Sequence, residues 1–269
     1  MNRAGRERAH EYWDGSNVMH VWRGQLLTKD GQIDFKSPNE YSESSDRIYI
    51  GEFGGTHFFA VNKFIDAEKS SANTLREIAG NLSQQDLELA VTALALINWH
   101  ESHQKCPRCG SNTEMIENGW VRKCITDGTQ HFPRTDPAII VAVQDRNGRI
   151  CLGRQSSWPE GRYSNFAGFV EPGESLEDAV IREVKEESGL DVNEIKYLSS
   201  QPWPFPNSIM LAFEAFTDQP EIAKPDGVEI EDLKWFSKDE LQSAINDGTL
   251  KLPPITSVSG KMIQGWLNG

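Results

Sequence analysis

The feature that most constrains this chain is the stretch GFVEPGESLEDAVIREVKEESGL, residues 168–190, where three glutamates crowd onto one predicted helix. Ser175 is a suitable N-cap and Gly189 a suitable C-terminal stop, so the pattern predicts a helix over residues 176–188. Like charges three or four residues apart destabilise a helix, so the crowding needs an explanation. The crowded residues are Glu183, Glu186 and Glu187.

On a helical projection, these carboxylates continue the face that begins with Leu176, Ala179 and Val180. Carboxylates on a face that turns toward the protein interior need a partner or a metal ion. Hard oxygen ligands of this kind suit Mg²⁺ or Mn²⁺. Periodicity alone leaves two interpretations open, a solvated acidic patch and a shared metal site.

The spacing of the same stretch fits a longer pattern, G-x5-E-x7-R-E-U-x-E-E-x-G-U, in which U is aliphatic. The matched positions are Gly168, Glu174, Arg182, Glu183, Val184, Glu186, Glu187, Gly189 and Leu190. This pattern resembles the Nudix box, the signature of the Nudix hydrolases. The resemblance implies an α/β fold, a Nudix α/β/α sandwich with a mixed sheet. It also implies hydrolysis of a nucleoside diphosphate linked to another group.

The resemblance further implies roles for individual residues. Mg²⁺ or Mn²⁺ would sit on the catalytic glutamates, and Glu174 with Arg182 would form an ion pair that fixes the loop to the helix. Either Glu186 or Glu187 would act as the general base. The implied ligands of the divalent metal in and before the box are Ala167 (through its carbonyl), Glu183, Glu186 and Glu187.

Downstream, the segment SQPWPFPNS, residues 200–208, alternates three prolines with two aromatic residues. Such a rigid, extended segment suits either the stacking of a base or an interdomain strap. It resembles the marker of the NADH pyrophosphatase subfamily, where it lines the dinucleotide site. By that resemblance, Phe132, Phe169 and Ser259 also contact substrate. The implied substrate-binding residues of the segment are Gln201, Pro202, Trp203, Pro204, Phe205, Pro206, Asn207 and Ser208.

One further acid follows from the same resemblance. Glu229 lies six residues before Trp235 in GVEIEDLKWF, and a glutamate at that place completes the metal site in the subfamily. The residues alone fit equally well with an exposed acid at a strand edge, like the neighbouring Glu231. Its place relative to the tryptophan favours the metal-site interpretation.

The cysteines form a second candidate metal site. Their spacing, C-x2-C-x14-C, is typical of a zinc ribbon, which the subfamily also carries. Asp127 takes the position of a fourth cysteine, His131 is the other candidate ligand, and loss of zinc is a third possibility. Cys151 lies in an apolar run and is interpreted as a core thiol. The three ribbon cysteines are Cys106, Cys109 and Cys124.

Composition limits the class of protein. The 269 residues carry a net charge of −13, which disfavours non-specific binding to nucleic acid or to an anionic membrane. No secretory signal and no apolar run long enough to span a membrane is visible, so we expect a cytoplasmic protein. The predicted organisation is an N-terminal α+β domain (1–98), a zinc-ribbon-like module (99–134) and a Nudix hydrolase domain (135–269).

Elements of the N-terminal domain follow from turn and periodicity signals. Residues 20–35 are predicted to form one hairpin around Lys29-Asp30-Gly31, and residues 47–64 a second around Gly54-Gly55. Apolar residues at helical spacing predict a helix that begins after Ser83. His100 and His103, near its end, receive no chemical role.

The expected activity is hydrolysis of the diphosphate of NADH or NAD⁺ to nicotinamide mononucleotide, reduced or oxidised, and AMP. Removal of an NAD cap from RNA ranks second, because of the acidic net charge. The alternatives are a Nudix hydrolase of ADP-ribose or diadenosine polyphosphates and an inactive nucleotide-binding module. The subfamily resemblance implies a homodimer.

Overall fold

The computed structural model describes residues 1–3, 10–41, 46–65 and 71–269. The chain divides into two compact units. Unit 1 comprises residues 1–135 and 203–207, and unit 2 comprises residues 136–202 and 208–269. In the part of the chain that the structure describes, no helix is long and apolar enough to cross a membrane. The predicted boundaries at residues 98 and 134 remain a prediction.

Unit 1 is built on a six-stranded mixed sheet. Its central strand β1 runs parallel to β5 and antiparallel to β2, and the strand order is β3-β2-β1-β5-β4, with β6 paired to β2. The strands are β1 (Asn17–Trp22), β2 (Gln25–Lys29), β3 (Gln32–Ile33), β4 (Arg47–Phe53), β5 (Thr56–Asn62) and β6 (Ser71–Thr74).

The first hairpin differs from its prediction. The expected turn at Asp30-Gly31 is present, but the run before it is broken by a second turn at Arg23-Gly24, which separates β1 from β2. All four of these turn residues have positive φ, which matches the twist of flanking strands. Arg23 hid the earlier turn, since an arginine with positive φ has no sequence signal. The second hairpin turns at Gly54-Gly55, as predicted.

Helix α2 (Gln84–Ser102) follows a one-turn helix, α1 (Leu75–Ile78), and covers one face of this sheet. Ser83 caps α2 by accepting a hydrogen bond from the backbone N–H of Asp86 at 3.1 Å. The opposite face of the sheet carries an aromatic cluster around Trp13, Tyr49 and Phe59. Unit 1 is therefore an α+β structure. The apolar side chains of α2 in the core include Leu89, Ala93, Leu94 and Ile97.

The ribbon module of unit 1 is a small sheet of β7 (Thr113–Ile116), β8 (Val121–Cys124) and β9 (Gln130–His131). Its β7–β8 turn packs closely on strand β4. Trp120 donates its indole N–H to the carbonyl of Tyr49 at 2.7 Å, and any Cβ at Gly119 would overlap Ile48. The ribbon is thus attached to the N-terminal sheet by specific contacts.

Unit 2 also has a six-stranded mixed sheet. Strand β10 is parallel to β14 over ten residue pairs, and the strand order is β13-β14-β10-β11-β15, with β12 paired to β10. The strands are β10 (Asp136–Asp145), β11 (Ile150–Arg154), β12 (Phe166–Phe169), β13 (Asn193–Trp203), β14 (Ser208–Thr217) and β15 (Asp232–Phe236).

Three helices complete unit 2, namely α3 (Leu176–Ser188), α4 (Lys238–Asn246) and α5 (Val258–Asn268). Successive residues of β10 alternate between two cores, as a strand buried on both faces requires. Ile139 and Val141 pack with α3, whereas Ile140 packs with α4 and α5. This is the predicted α/β/α sandwich with a mixed sheet.

Candidate metal-dependent active site

Helix α3 has the bounds that the sequence predicts. The Ser175 hydroxyl accepts a hydrogen bond from the backbone N–H of Asp178 at 3.1 Å, and Gly189 ends the helix with φ +71°. One face of α3 buries Val180 and Val184 against the sheet. This packing fixes the rotation of the helix and so decides which glutamates turn inward.

Glu187 is the most buried of the three glutamates, with 4 % of its surface exposed. Its Oε2 atom is buried without a hydrogen-bond partner. Burial, then the charges of Glu183 and Glu229, raises the pKa of Glu187 to about 8 despite a backbone hydrogen bond from Ala167. An unpaired buried carboxylate is costly and needs a cation or a proton.

Glu183 and Glu229 lie beside Glu187. Burial is the main cause that raises the pKa of Glu183, and the charges of Glu186 and Glu229 add to it. The loop that carries Glu229 is held by Asp226, whose carboxylate accepts the backbone N–H groups of Glu229 at 3.0 Å and Ile230 at 2.7 Å. Two separate segments thus bring carboxylates to one place.

Arg182 ties the box loop to the helix. Its guanidinium donates two hydrogen bonds to Glu174, at 2.6 and 3.1 Å, and one to the carbonyl of Phe169 at 2.9 Å. It also pairs with Glu183 at 2.8 Å and with Glu186 at 3.1 Å. The expected Glu174–Arg182 ion pair is therefore present, and Arg182 balances part of the acidic charge. Glu186 is the exposed member of the cluster, with 60 % of its side chain accessible.

The first residue of the box is a glycine, Gly168, because Glu183 occupies the space that a side chain would need. A Cβ at residue 168 would overlap the Glu183 carboxylate. Strand β12, which ends at Phe169, thereby passes directly under the glutamates and places Ala167 next to Glu187. Of the predicted residues, Ala167, Glu183 and Glu229 are therefore neighbours that act on Glu187.

The donor set fits a hard divalent cation. It consists of oxygen atoms only, one of them a buried carboxylate oxygen without a partner, and burial together with neighbouring negative charge raises the pKa of Glu183 and of Glu187. Mg²⁺ and Mn²⁺ favour such ligands. Glu183, Glu187 and Glu229 would hold the cation, with Glu186 at the exposed side.

The predicted substrate-binding residues of unit 2 are largely engaged within the unit. Gln201 donates to the carbonyl of Thr256 at 2.8 Å and accepts from the backbone N–H of Val258 at 2.6 Å, so it braces the start of α5. Ser259 is 5 % exposed, and Asn165 donates to its hydroxyl at 3.0 Å. Ser208, which begins β14, is also buried, whereas Pro202 is exposed.

The remaining residues of the SQPWPFPNS segment, 203–207, belong to unit 1. Trp203 and Phe205 lie edge to face, with ring centroids 5.1 Å apart. The side-chain amide of Asn98 donates to the carbonyls of Pro204 and Pro206 at 3.2 and 3.0 Å, and this fixes the segment on α2. Asn207 completes the segment.

Two predicted aromatic contacts present their rings to solvent. Phe169 in unit 2 is 59 % exposed, and Phe132 in unit 1 is 61 % exposed. An exposed phenylalanine contributes nothing to a core, and both rings are free to stack on a planar group. Phe169 stands at the end of β12, directly after the backbone that lies under the glutamates.

The ribbon brings four ligand atoms together, from Cys106, Cys109, Cys124 and Asp127, all within 4.8 Å of one another. The Cys109–Cys124 sulfur distance is 3.5 Å, and the Cys106 sulfur lies 4.0 Å from an Asp127 oxygen. A tetrahedral zinc site with Zn–S bonds of about 2.3 Å has edges of about 3.8 Å. The cluster therefore fits zinc.

Two similar knuckles build this cluster, CPRCG and CITDG. Gly110 and Gly128, which close them, both have φ +73°. The backbone N–H groups of Thr126 and Asp127 point at the Cys124 sulfur, at 3.4 and 3.5 Å. Among the described residues, His131 is outside the cluster. The geometry thus favours Asp127 as the fourth ligand over His131.

Several contributors were missed from the sequence. Asp226 has a local signal, since an aspartate before glycine often accepts backbone N–H groups in a turn. Asn98 and Arg76 have none, because their contacts with residues 203–207 span more than one hundred positions. His100 also had an unrecognised role. It bonds the Gly119 carbonyl and the Arg122 guanidinium, so it joins α2 to the ribbon.

Three family models match successive parts of the chain. A NUDIX domain model matches residues 134–256, and an NADH pyrophosphatase-like rudimentary NUDIX domain model matches residues 15–99. The NADH pyrophosphatase zinc ribbon domain model matches residues 101–132.

Two curated relatives named NAD-capped RNA hydrolase NudC resemble the chain along nearly all of its length. The one from Mycobacterium bovis is 34% identical, and the one from Mycobacterium tuberculosis is 33% identical. Each alignment covers 98% of this chain and 90% of the relative. The human NAD-capped RNA hydrolase NUDT12 is 35% identical over 69% of this chain and 43% of its own length.

Among solved structures, a NUDIX hydrolase from Nitrosomonas europaea superposes with a TM-score of 0.44 at 22% identity, covering 51% of this chain and 79% of that one. The domain models that match residues 15–99, 101–132 and 134–256 identify a hydrolase of the Nudix type. The chain belongs to the Nudix hydrolase family, in its NADH pyrophosphatase group.

Proposed function

We propose that this enzyme hydrolyses the diphosphate bond of the NAD moiety, in NADH, in NAD⁺ and in RNA that carries an NAD cap. The products would be nicotinamide mononucleotide, reduced or oxidised, and either AMP or an RNA with a 5′-monophosphate. The observation that carries the proposal is the inward carboxylate face of α3, where Glu187 is buried with an unpaired oxygen. Relatives named NAD-capped RNA hydrolase support the substrate.

The chain's own residues would act as follows. Glu183, Glu187 and Glu229 hold Mg²⁺ or Mn²⁺, with the Ala167 carbonyl as a further ligand. When bound there, divalent cations shield the diphosphate charge and activate the attacking water. Arg182 keeps the loop and helix in register, and the exposed ring of Phe169 stacks on a base.

The general base is proposed to be Glu186 or Glu187, and the two differ in their surroundings. Glu187 is buried beside Ala167, whereas Glu186 is exposed and paired with Arg182. If Glu186 is the base, Glu186→Gln should lower kcat and leave the Mg²⁺ dependence unchanged. If Glu187 serves as both ligand and base, Glu187→Gln should lower kcat and also change the Mg²⁺ dependence.

The choice between free dinucleotide and capped RNA is open to direct measurement. The acidic net charge of −13 disfavours RNA, but it is unevenly distributed. Unit 1 has 15 Lys and Arg against 18 Asp and Glu, whereas unit 2 has 12 against 22. Unit 1 is thus nearly balanced, and we rank capped RNA level with NADH.

The test is product analysis by mass spectrometry on four substrates under matched Mg²⁺: NADH, NAD-capped RNA, ADP-ribose and a diadenosine polyphosphate. We expect mononucleotide products from the first two at the highest kcat/KM. Faster turnover of ADP-ribose or of the diadenosine polyphosphate would overturn the proposal. Exchange of Mg²⁺ for Mn²⁺ in the same assay determines the metal preference.

Further parts of the proposal concern the whole molecule. We propose one structural Zn²⁺ on Cys106, Cys109, Cys124 and Asp127, a homodimer, a cytoplasmic location, and substrate contacts through the SQPWPFPNS segment with Phe132, Phe169 and Ser259. Light scattering of the purified protein tests the dimer, and elemental analysis tests the zinc. The three domains would be 1–98, 99–134 and 135–269.

A further inference from the structure

The cysteines of this protein differ in how well water reaches their sulfur atoms. All four lie in the described part of the chain, and three of them are buried, namely Cys106, Cys124 and Cys151. Cys109 is exposed, on the first knuckle of the ribbon. An oxidant dissolved in water therefore meets the Cys109 sulfur before the others, since the oxidation of a cysteine follows its exposure.

A second thiol lies next to the exposed one. The sulfur atoms of Cys109 and Cys124 are 3.5 Å apart, whereas the Cys106 sulfur lies 4.0 Å from an Asp127 oxygen. An accessible cysteine beside a second cysteine is the arrangement of redox-sensing pairs. Since the S–S bond of a disulfide is about 2.0 Å long, the two sulfurs must approach by about 1.5 Å to be joined.

Hydrogen bonds between the two knuckles keep this pair together without help from a metal ion. Thr126 donates its hydroxyl to that of Ser111 at 2.9 Å, and the Arg108 guanidinium donates to the Thr129 hydroxyl at 3.3 Å. The tips of both knuckles are exposed. The first knuckle therefore has room to move toward the second, and the two stay close while it does so.

Asp127 limits what oxidation does to the ribbon. Four cysteines would allow two disulfides, whereas the three ribbon cysteines allow one. A disulfide between Cys109 and Cys124 leaves Cys106 and Asp127, which are two of the four ligands that a tetrahedral zinc site needs. Asp127 also has a partner besides a metal ion, because it accepts the backbone N–H of Thr129 at 2.9 Å. One disulfide is therefore enough to release the ion.

We propose that Cys109 is a modification site for peroxides, and that its oxidation joins it to Cys124 and releases the zinc of the ribbon. The proposal rests on the structural zinc proposed above. The Cys109 thiolate attacks one peroxide oxygen, the O–O bond breaks, and a sulfenic acid and a hydroxide form. The Cys124 thiolate then attacks the Cys109 sulfur, the S–O bond breaks, and the disulfide and a second hydroxide form. Two electrons pass from the sulfurs to the peroxide, and a thiol reductant returns them.

The test adds hydrogen peroxide to the zinc-loaded protein, follows zinc with a chelating dye, and maps the cysteines by alkylation, trypsin and mass spectrometry. Trypsin separates the three ribbon cysteines, since it cleaves after Lys105, Arg108 and Lys123. We expect one Cys109–Cys124 disulfide and one zinc released for each disulfide. Dithiothreitol with added zinc should restore the starting state.

Three results of this experiment would overturn the proposal. They are a disulfide between Cys106 and Cys109, a disulfide form that keeps its zinc, and release of zinc without any disulfide. Cys151→Ala is the matched control, because Cys151 is a buried thiol of unit 2. It should release zinc at the rate of the wild type.

Two variants test the roles of the individual ribbon residues. Asp127→Cys supplies a fourth thiol, so full oxidation should remove four hydrogen atoms from the ribbon instead of the two lost by the wild type. A loss of only two in Asp127→Cys would refute the limit assigned to Asp127. Cys109→Ser should lose no thiol to peroxide, with EDTA-treated wild type as its reference because the variant also lacks a zinc ligand. Equal thiol loss in the two would overturn Cys109 as the modified residue.

These outcomes separate the inference from the proposals on which it follows. A purified protein without zinc would overturn zinc release together with the zinc assignment, while the peptide map would still decide whether Cys109 and Cys124 form the pair. NAD hydrolysis is measured in none of these experiments, so a failure of the proposed activity leaves the result unchanged.

Discussion

The two units of this protein contain related sheets, and among the described residues only unit 2 has a helix that carries clustered carboxylates, α3. In unit 1 the strand order β4-β5-β1-β2 corresponds to the strand order β13-β14-β10-β11 in unit 2. The two middle strands are parallel in each sheet, β1 with β5 and β10 with β14. In each path the next neighbour of the central strand, β2 or β11, is antiparallel. The match of residues 15–99 to a rudimentary NUDIX domain agrees with this correspondence.

The two units differ in the chain segment that leads from β11 to β13 in unit 2 and from β2 to β4 in unit 1. In unit 2 the chain between β11 and β13 builds β12, the box loop and α3. The corresponding interval of unit 1, between β2 and β4, is 17 residues long, and its described part contains only the two-residue strand β3 and a 3₁₀ turn at Pro38–Glu40. The sheet therefore forms without the box, and the box is an addition that serves chemistry.

The helices that cover the sheets show the consequence. Helix α2 buries apolar residues such as Leu89 and Leu94, which stabilise the fold by removing apolar area from water. Helix α3 buries Glu187 as well as Val184, and an unpaired carboxylate in that position costs stability. Unit 2 is thus less stable at the place where we propose a cation site.

The largest expected effect comes from removing the negative charge of Glu187, the buried carboxylate of α3. Glu187→Gln should lower kcat by about 10²–10⁴-fold, the range for loss of a catalytic acid or base. The same change should stabilise the metal-free protein at pH 8 by on the order of 2 kcal/mol. A carboxyl whose pKa is raised by folding contributes stability below about pH 4.5 and loses it as pH rises through about 8.

Glu177→Gln is the matched control, because Glu177 is an exposed acid in the first turn of the same helix. Initial rates on NADH and urea unfolding with EDTA measure the two effects. Full activity in Glu187→Gln would refute the catalytic assignment. Unchanged metal-free stability at pH 8 would refute the cost of the buried carboxylate.

The next effect concerns the proposed zinc site of the ribbon. Asp127→Ala should lose the bound zinc and lower the free energy of unfolding of unit 1 by about 2.7 kcal/mol when free zinc is a hundredfold above Kd. His131→Ala should retain one zinc per chain, because His131 is outside the cluster. Elemental analysis and urea unfolding check this. If His131→Ala loses zinc and Asp127→Ala does not, His131 is the fourth ligand instead of Asp127.

The bounds of α3 were predictable because each depends on one local residue, Ser175 at the start and Gly189 at the end. The shared face of Glu183 and Glu187 was predictable for a similar reason, since the helix period alone places them together, whereas its interpretation as a metal site needed the family resemblance. Glu229 required the family resemblance, because its approach depends on the long loop before β15.

Contacts between distant segments were not predictable from the residues. The engagement of Gln201 with the start of α5 depends on how two loops meet after folding. The same holds for Asn98 and the segment 203–207. Propensity and periodicity describe neighbours along the chain, whereas these contacts depend on tertiary packing. The Arg23-Gly24 turn was missed for a local reason, the absence of a sequence signal for an arginine with positive φ.

The comparison predicts opposite pH responses in the two units. Burial, as the main cause, lowers the pKa of His100 in unit 1 to about 4. A histidine whose pKa is lowered by folding stabilises above its unfolded value of about 6.5 and loses that contribution as pH falls through 4. Unit 1 should therefore lose about 2 kcal/mol between pH 7.5 and 5.0, while the Glu187 effect weakens unit 2 toward alkaline pH.

His100→Asn removes the titrating group and should flatten the acid limb of the unit 1 profile. Hydrogen exchange of α2 and the ribbon, followed by mass spectrometry at both pH values, separates unit 1 from unit 2. His103→Asn is the control, since His103 is the partly buried C-cap of the same helix. An acid limb of the same size in His100→Asn would mean that another group titrates.

The smallest effect tests how unit 2 holds the carboxylate that comes from outside the box. Asp226 accepts the backbone N–H groups of Glu229 and Ile230, so Asp226→Ala should let Glu229 drift while the helix stays intact. Residues that orient a metal ligand are worth about tenfold or more in metal affinity. We expect the Mg²⁺ concentration for half-maximal activity to rise about tenfold, with kcat at saturating Mg²⁺ nearly unchanged.

The control is Glu231→Gln, because Glu231 is a neighbouring acid that pairs with Arg154, and this change should leave both values unchanged. A fall in kcat at saturating Mg²⁺ would show that Asp226 does more than position Glu229, and an equal effect of Glu231→Gln would reduce its role to general negative charge.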